Sequence, residues 1–279
     1  MRTYAHAKIN AALNVVCRRE DGYHELEMVM LPLTLRDDII IHFSKKDWYT
    51  WNAPFRINGK NTIVKAVNLM RETYGIDKCF RIDVNKRIPT QAGLAGGSAD
   101  AAAIMKAIRD LCELDVSNEE LAQLSKQIGA DVPFCVMNEA SVVKGIGEIL
   151  EPFKVNCDFE VLLLKPYKGV STKECFESIQ FEECIHPDVM EVKRCLEEDD
   201  FESLSNCVQN TLEAPACKLV PEILSAKEYL MKKGFEVVCM SGSGSTIFAL
   251  TRNYKLIKEV MNDHDYDGWF RYKCRVLSN

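Results

Sequence analysis

The spacing of apolar and polar positions predicts extended structure at the start of the chain. "KINAALNVVC" has the apolar content of a strand, and "RREDGY" follows as a charged turn with Asp-Gly at its tip. Extended patterns resume in "HELEMVMLPLTL" and "DDIIIHF", and a further strand in "FRIDVNKRIP" ends at Pro89. These segments predict a sheet in the first part of the chain.

Helical spacing follows in three places. "NTIVKAVNLMRETYG" places four apolar residues on one helix face: Ile63, Ala66, Val67 and Met70. A second helix begins after a glycine-rich stretch, with Ser98 predicted as its N-cap. "SNEELAQLSKQIG" is a third, for which a capping box of Ser117 and Glu120 and a C-terminal cap at Gly129 are predicted. "VPFCVM" and "ASVVKG", which come next, are predicted as strands.

A new cycle of elements begins near residue 155. "FEVLLLKP" predicts a buried strand, and residues 174–233 are mostly helical. "FEVVCMSGSGSTIFAL" predicts strand, glycine turn and strand, before a helix in "YKLIKEVMNDH" and a last strand in "WFRYKCRVL". The pattern predicts an α+β protein in two lobes, with domains at residues 1–155 and 156–279.

Composition and charge narrow the function classes. The 279 residues are 47% hydrophobic and 27% charged, and the net charge of -6 comes without a basic block. Neither a nucleic-acid partner nor a membrane partner is therefore expected. The twelve cysteines contain no C-x-x-C pair, so free thiols in a reducing cytoplasm are expected. No signal peptide or membrane span is predicted.

The stretch "PTQAGLAGGSADAAA" is the first candidate for chemistry. A strand that enters a glycine-rich turn and then a helix presents backbone N–H groups and a partial positive charge to an anion. The spacings of the Walker A loop and of the Rossmann turn are both absent. A phosphate site and a tightly packed strand–helix turn therefore both remain open at this point.

Other candidates are weaker when taken singly. "SGSGST", from Ser241 to Thr246, reads as a hairpin loop and lacks the first glycine of the G-x-S-x-G hydrolase motif. Lys8 lies within an otherwise apolar strand, and Asp131 lies in "GADVPF". Phosphoryl transfer uses a cation to neutralise charge and an aspartate to accept a hydroxyl proton. For Lys8 or Asp131 taken alone, a solvated or capping charge is the favoured interpretation.

Four segments in order resemble the GHMP kinases, the superfamily of galactokinase, homoserine kinase, mevalonate kinase and phosphomevalonate kinase. They are "AHAKIN", "DGYHELEMVM", "PTQAGLAGGSADAAA" with "GADVPF", and "MSGSGSTIFA". The resemblance covers nearly the whole chain and is weakest in residues 174–235. It implies a two-lobed α+β GHMP kinase fold with the active site in the cleft between an N-terminal ATP-binding domain and a C-terminal substrate-binding domain.

The resemblance also implies roles for individual residues. Asp131 matches the catalytic aspartate, and Lys8 matches a lysine that neutralises developing charge. Residues 89–99 match the phosphate-binding loop, and two further positions match residues near the adenine, so the implied ATP-binding set is Asn61, Lys86, Pro89, Thr90, Gln91, Ala92, Gly93, Leu94, Ala95, Gly96, Gly97, Ser98 and Ala99. ATP and Mg²⁺ are the implied cofactors. Ser98 is a candidate metal ligand, and the other ligands stay open.

The opening "KIN…R-x-D-G-Y-H-E" narrows the resemblance to one branch of the superfamily. Its members phosphorylate a hydroxyl of a cytidine diphosphate-linked sugar alcohol in non-mevalonate isoprenoid biosynthesis. Tyr23 and His24 match residues that stack on and hydrogen-bond the cytosine, and Phe176 is expected to cover its other face. The implied substrate-binding set is Asn10, Tyr23, His24, Thr172, Phe176, Gly242, Ser243 and Gly244.

Departures from the family pattern keep two alternatives open. His6 and Leu31 stand where the family usually has other residues, and Asp100 places an acid in the first turn of the phosphate helix, where Mg²⁺ is expected to balance it. The alternatives are a GHMP kinase with a different small alcohol acceptor and a non-catalytic nucleotide-binding regulator on this scaffold. A cytoplasmic monomer or weak homodimer is expected.

Overall fold

The computed structural model describes residues 1–52 and 61–277, which fold as two compact units. The first unit consists of Met1–Ala7, Leu35–Ile88 and Ala95–Asn138. The second consists of Lys8–Thr34, Pro89–Leu94 and Glu139–Asn279. Each unit is thus assembled from three separate stretches of chain. The predicted domain boundary near residue 155 is a division along the chain, and it stays a prediction.

The first unit packs helices on a small sheet. Strand β1 (Arg2–Arg18) begins in it, and the second half of β2 (His24–Ser44) pairs antiparallel with β4 (Cys79–Asn85), which pairs in parallel with β3 (Trp48–Trp51). Its helices are α1 (Thr62–Tyr74), α2 (Gly96–Leu111), α3 (Asn118–Ser125) and α4 (Val132–Met137). Helix α2 packs on α1 and α4, with alanines and isoleucines buried at the contacts.

The second unit contains two groups of antiparallel strands. The first half of β2 pairs with β5 (Ser141–Gly145), which pairs with β6 (Ile149–Pro152). A four-stranded sheet follows in the order β10-β7-β9-β8, from β7 (Glu160–Lys165), β8 (Val237–Met240), β9 (Ile247–Thr251) and β10 (Phe270–Cys274). Its helices are α5 (Thr172–Glu177), α6 (Val189–Glu198), α7 (Phe201–Cys207), α8 (Glu213–Leu219), α9 (Glu222–Lys232) and α10 (Tyr254–Met261).

Local patterns predicted most of these elements. The four apolar residues assigned to one face of α1 are its buried residues, and the capping box of α3 is present. The strand–turn–strand around Ser241–Thr246 is the antiparallel pair β8–β9. All twelve cysteines are free thiols, as predicted. In the described part of the chain, no helix is both long and apolar enough to cross a bilayer.

Three predictions about the helices of the first unit were wrong. "VPFCVM" is helix α4, because a short apolar run fits a buried helix as well as a strand and Pro133 is tolerated in its first turn. Helix α3 ends at Ser125, and Gly129 belongs to the turn that accepts the Val132 N–H. Ser98 is not the N-cap of α2. That position is Ala95, whose carbonyl accepts the Ala99 N–H.

Ala95 holds a backbone conformation that an alanine adopts at a cost. Its φ of 57° and ψ of 27° lie in the left-handed region, where a Cβ is disfavoured by about 1–2 kcal/mol. We expect Ala95→Gly to raise the free energy of unfolding by roughly 0.5–1 kcal/mol, after the greater entropy of the unfolded glycine is subtracted. Urea denaturation measures the change. Ala99→Gly, at ordinary helical angles in α2, should instead lower stability, and a loss of stability in both variants would contradict the explanation.

Candidate active site

The glycines of the stretch at residues 89–99 differ in what a side chain would meet at each position. A Cβ at Gly93, where φ is +72°, would lie 1.9 Å from the Ser241 carbonyl oxygen, so the second unit's own backbone fills that space. A Cβ at Gly96 would lie 2.9 Å from the Ile88 side chain. Packing within the protein therefore accounts for Gly93 and Gly96 without a ligand.

Gly97 is different, because the described protein leaves room beside it. A Cβ there would meet only the Thr62 side chain, 3.4 Å from Oγ1, which is an ordinary contact. Gly97 is exposed, and helix α2 begins here without a side-chain cap on its first turn. An uncapped helix start with an exposed glycine suits an approaching anion.

A buried ion cluster in the first unit holds the residues that follow β4. The Lys86 ammonium lies 2.5 Å from an oxygen of Asp37 and 2.5 Å from an oxygen of Asp100. The second oxygen of Asp37 accepts the N–H groups of Arg87 and Ile88, at 2.5 and 2.8 Å. Asp37 thereby fixes the backbone that leads from β4 to Pro89.

The cluster changes the interpretation of Asp100 and Lys86. Asp100 lies just past the first turn of α2 and is 2% exposed, and Lys86 balances its charge inside the protein, so Mg²⁺ is not required for that purpose. Burial raises the pKa of Asp100 to about 7, against the attraction of Lys86. Burial alone would lower the pKa of Lys86, but the two carboxylates outweigh it and raise that pKa. An adenine contact of Lys86 stays a prediction.

Asp131 lies at the N-terminal end of helix α4. It is half-buried, and its carboxylate makes no capping hydrogen bond to that helix. The other end of α4 is held by Lys106 of α2, which donates to the Val136 carbonyl at 3.1 Å. Burial lowers the pKa of Lys106, yet a cation suits the carbonyl end of a helix. Lys106 therefore helps to place the helix that begins after Asp131.

Asn61, the other residue predicted near the adenine, begins helix α1. Its side-chain oxygen accepts the Ile63 N–H at 2.9 Å, so it serves as the N-cap. The next residue, Thr62, donates its hydroxyl to the Gly97 carbonyl at 2.7 Å. The start of α1 and the exposed glycine of α2 are therefore neighbours in the first unit.

In the second unit, Lys8 and Asn10 lie side by side on β1. Both are buried, at 3% and 1% exposure, and the Lys8 ammonium donates to Asn10 Oδ1 at 2.7 Å. The Lys8 N–H also donates to the Leu94 carbonyl at 3.2 Å, which joins β1 to the glycine-rich stretch. The structure thus brings three of the predicted site residues together.

The loop at residues 241–246 lies against Asn10 and the glycine-rich stretch. Gly242 has φ of +56°, and a Cβ on it would lie 3.1 Å from the Gly93 carbonyl oxygen and 3.4 Å from Asn10 Oδ1. The Thr246 N–H donates to the Ala92 carbonyl at 3.3 Å. Gly242 therefore allows the backbone of this loop to approach both Gly93 and Asn10.

Thr172 and Ser243 form a separate contact beside this loop. Their hydroxyl oxygens are 2.8 Å apart, with Thr172 exposed at the start of α5 and Ser243 8% exposed. This pair connects α5, which carries Phe176, to the glycine loop. The prediction that both residues bind substrate is compatible with this placement and stays a prediction.

An aromatic group surrounds His24 in the second unit. The centroid of its ring lies 5.0 Å from that of Phe176 and 6.3 Å from that of Phe181. Tyr23 beside it is 61% exposed. Burial, followed by the charge of Arg18, lowers the pKa of His24 below its ordinary value, which favours the neutral imidazole. A neutral imidazole with an exposed tyrosine beside it can stack on a flat base and hydrogen-bond its edge.

Three residues with clear structural roles in these clusters escaped the sequence analysis. They are Asp37, Phe181 and Ser241, whose side chains contact residues distant along the chain. The only local signal was at Asp37, a charged residue at the head of the apolar run "DDIIIHF". A buried charge in such a position requires a partner, so it could have been marked as a structural or functional carboxylate.

Similar proteins identify the class of this fold and site. The models for the GHMP kinases N terminal domain and the GHMP kinases C terminal domain match residues 61–139 and 185–265. The crystal structure of a homoserine kinase from Cytophaga hutchinsonii superposes with a TM-score of 0.79 at 18% identity, covering 99% of this chain and 94% of that one. The protein is a GHMP kinase in fold and family, as the sequence motifs predicted.

Two further relatives are more specific. The 4-diphosphocytidyl-2-C-methyl-D-erythritol kinase of Geobacillus thermodenitrificans is 39% identical over 262 residues, which are 92% of this chain and 90% of that one. A crystal structure of 4-(cytidine 5'-diphospho)-2C-methyl-D-erythritol kinase superposes with a TM-score of 0.80 at 29% identity, covering 99% of both chains. The chain belongs to the 4-diphosphocytidyl-2-C-methyl-D-erythritol kinase family.

Proposed function

We propose that this protein transfers the γ-phosphate of ATP to the 2-hydroxyl of 4-diphosphocytidyl-2-C-methyl-D-erythritol, in the cytoplasm, as a step of non-mevalonate isoprenoid biosynthesis. The observation that carries the choice of acceptor is the aromatic group around His24. Phe176 packs near the His24 ring, and Tyr23 is exposed beside His24. This arrangement is suited to a pyrimidine base. Family membership supports the same substrate class.

The chemical roles are assigned to two charged residues. Asp131 orients or accepts the proton of the attacking hydroxyl, because it matches the catalytic aspartate of the GHMP kinase pattern and is half-buried at the N-terminal end of α4. Lys8 neutralises negative charge that develops on the transferring group, and its contact with Asn10 Oδ1 holds its ammonium in place. Asn10 in turn contacts the acceptor.

The nucleotide is assigned to the glycine-rich stretch. Gly97 and the uncapped first turn of α2 receive the phosphates, since a side chain at Gly97 would fill space that the described protein leaves open. Ser98 would hold Mg²⁺ through its hydroxyl, whereas the Asp100 carboxylate is buried against Lys86. When bound, Mg²⁺ supplies charge neutralisation.

The state of His24 gives the first test of the acceptor assignment. Because burial lowers the pKa of its imidazole below the ordinary 6.5, the ring stays neutral until the pH falls below that value. We expect the KM for the cytidyl acceptor to rise as the pH falls through a midpoint below 6.5, while the KM for ATP changes little. Steady-state kinetics from pH 5 to 8 measures both constants. His24→Gln should lose the acid limb, and a midpoint above 6.5 would contradict the assignment.

The reaction itself is tested by ADP release. Purified protein with ATP and Mg²⁺ should release ADP only when 4-diphosphocytidyl-2-C-methyl-D-erythritol is added. ADP release with another small alcohol, but not with this one, would favour the alternative acceptor. ATP binding without turnover on any acceptor would favour a non-catalytic regulator.

A further inference from the structure

The Ser241 side chain lies at the centre of the second unit's part of the site. The residue is 0% exposed. Its hydroxyl donates to the Gly93 carbonyl at 3.0 Å and accepts the Asn10 N–H at 3.3 Å. One hydroxyl thus joins the glycine-rich stretch to strand β1, next to Lys8.

The Ser241 hydroxyl joins these two segments to the loop at residues 241–246 through a side chain. Backbone hydrogen bonds join them as well, from the Lys8 N–H to the Leu94 carbonyl and from the Thr246 N–H to the Ala92 carbonyl. Backbone bonds cannot be removed singly by substitution, whereas the Ser241 hydroxyl can. Its contribution is therefore experimentally separable from the fold of the loop.

The Ser241 backbone is packed so closely against Gly93 that it has little room to shift. The carbonyl oxygen of Ser241 itself occupies the space beside Gly93 where a Cβ would stand, 1.9 Å away. That carbonyl also accepts the Gly244 N–H at 3.0 Å. Because the backbone is fixed on both sides, the loss of the hydroxyl would leave the Asn10 N–H and the Gly93 carbonyl without this shared partner.

We propose that Ser241 is a positioning residue for phosphoryl transfer, which sets the Gly93 backbone of the nucleotide loop against the Asn10 backbone of the acceptor strand. It touches neither substrate and acts through Gly93, Asn10 and the adjacent Lys8. This role rests on the proposed function, because it assigns the glycine-rich stretch that contains Gly93 to the nucleotide and Asn10 to the acceptor. An error of about 1 Å in such a register costs on the order of 10² in rate.

Thr211 provides a matched control. Its hydroxyl accepts the Val15 N–H at 3.2 Å and donates to the Ile185 carbonyl at 2.8 Å, and the residue is 1% exposed. It therefore forms the same kind of bridge to the same strand, several residues from Lys8 and Asn10. Thr211→Val removes that bridge without touching any residue assigned to the site.

The test compares Ser241→Ala with Thr211→Val in kinetics and in amide hydrogen exchange. Both variants should show a similar fall in urea midpoint, but only Ser241→Ala should lose kcat, by roughly 10- to 100-fold, with smaller changes in both KM values. The Asn10 amide should exchange faster in Ser241→Ala and not in Thr211→Val. Ser241→Cys keeps a side chain of similar size but donates a hydrogen bond only weakly, so its kcat should fall as in Ser241→Ala. Ser241→Cys takes the place of Ser241→Ala in the comparison if the alanine variant does not fold.

Two outcomes would overturn the role. The first is a normal kcat in Ser241→Ala with faster Asn10 exchange, and the second is an equal loss of kcat in Thr211→Val. A wild-type protein that releases no ADP with the cytidyl acceptor would instead refute the proposed function. In that case the exchange result still reports the Ser241 contact by itself.

Discussion

Replacement of Asp131 by asparagine is expected to lower turnover by a factor of about 10² or more, while ATP affinity stays nearly unchanged. Asparagine has the shape of aspartate but cannot accept the hydroxyl proton. It is also a favourable residue at a helix N-terminus, so α4 should remain intact. ADP release in the presence of the cytidyl acceptor, together with ATP titration, measures the two quantities.

The control for this substitution is the stability of the variant. The unfolding midpoint of Asp131→Asn should stay close to that of the wild type, because asparagine keeps the shape of aspartate and is equally favourable at a helix N-terminus. Loss of turnover in a folded, ATP-binding variant would assign the defect to the chemical step. Turnover within a few-fold of the wild type would remove Asp131 from the mechanism.

The second large effect is expected at Gly93, where Gly93→Ala should lower the free energy of unfolding by about 3 kcal/mol or more. The new Cβ would stand 1.9 Å from the Ser241 carbonyl oxygen, in a backbone with φ of +72°. Relief of that clash requires the loop at residues 241–246 to move away from Asn10. Turnover should therefore fall together with stability, as measured by ADP release and urea denaturation.

Gly97→Ala is the comparator, because it adds the same methyl group where the described protein has room. Its Cβ would lie 3.4 Å from Thr62 Oγ1, so stability should change by less than about 1 kcal/mol. The KM for ATP should nevertheless rise, roughly tenfold, because the methyl group occupies the space assigned to the phosphates. Equal losses of stability in both variants would contradict the division between a packing glycine and a ligand glycine.

Local periodicity identified a helix correctly only where the helix spans several turns. The face of α1 was predicted correctly because apolar spacing over several turns excludes a strand. The six residues of α4 gave no such discrimination, and Ala95 gave no sign of a helix cap, since no local rule favours alanine in the left-handed region.

The residues of the candidate site also differ in whether the sequence alone could identify them. Their local setting marked Lys8 and the glycine stretches, whereas Asn10 and His24 were marked by the resemblance to the GHMP kinases. The supporting contacts were out of reach: Asp37 meets Ile88 across 51 positions, and Ser241 meets Gly93 across 148. Only the folded chain shows which distant residue shares a hydroxyl or a carboxylate.

The discontinuous make-up of the units has a consequence for synthesis on the ribosome. Asn10 and Ser241 are separated by 231 positions, so at about 5–20 residues per second the strand that carries Lys8 waits roughly 10–45 s for this partner. The first unit, by contrast, has its last stretch once Asn138 has been translated. We therefore expect the apolar β1 to remain incompletely covered during most of translation, so that the nascent chain exposes apolar surface until its C-terminal third emerges.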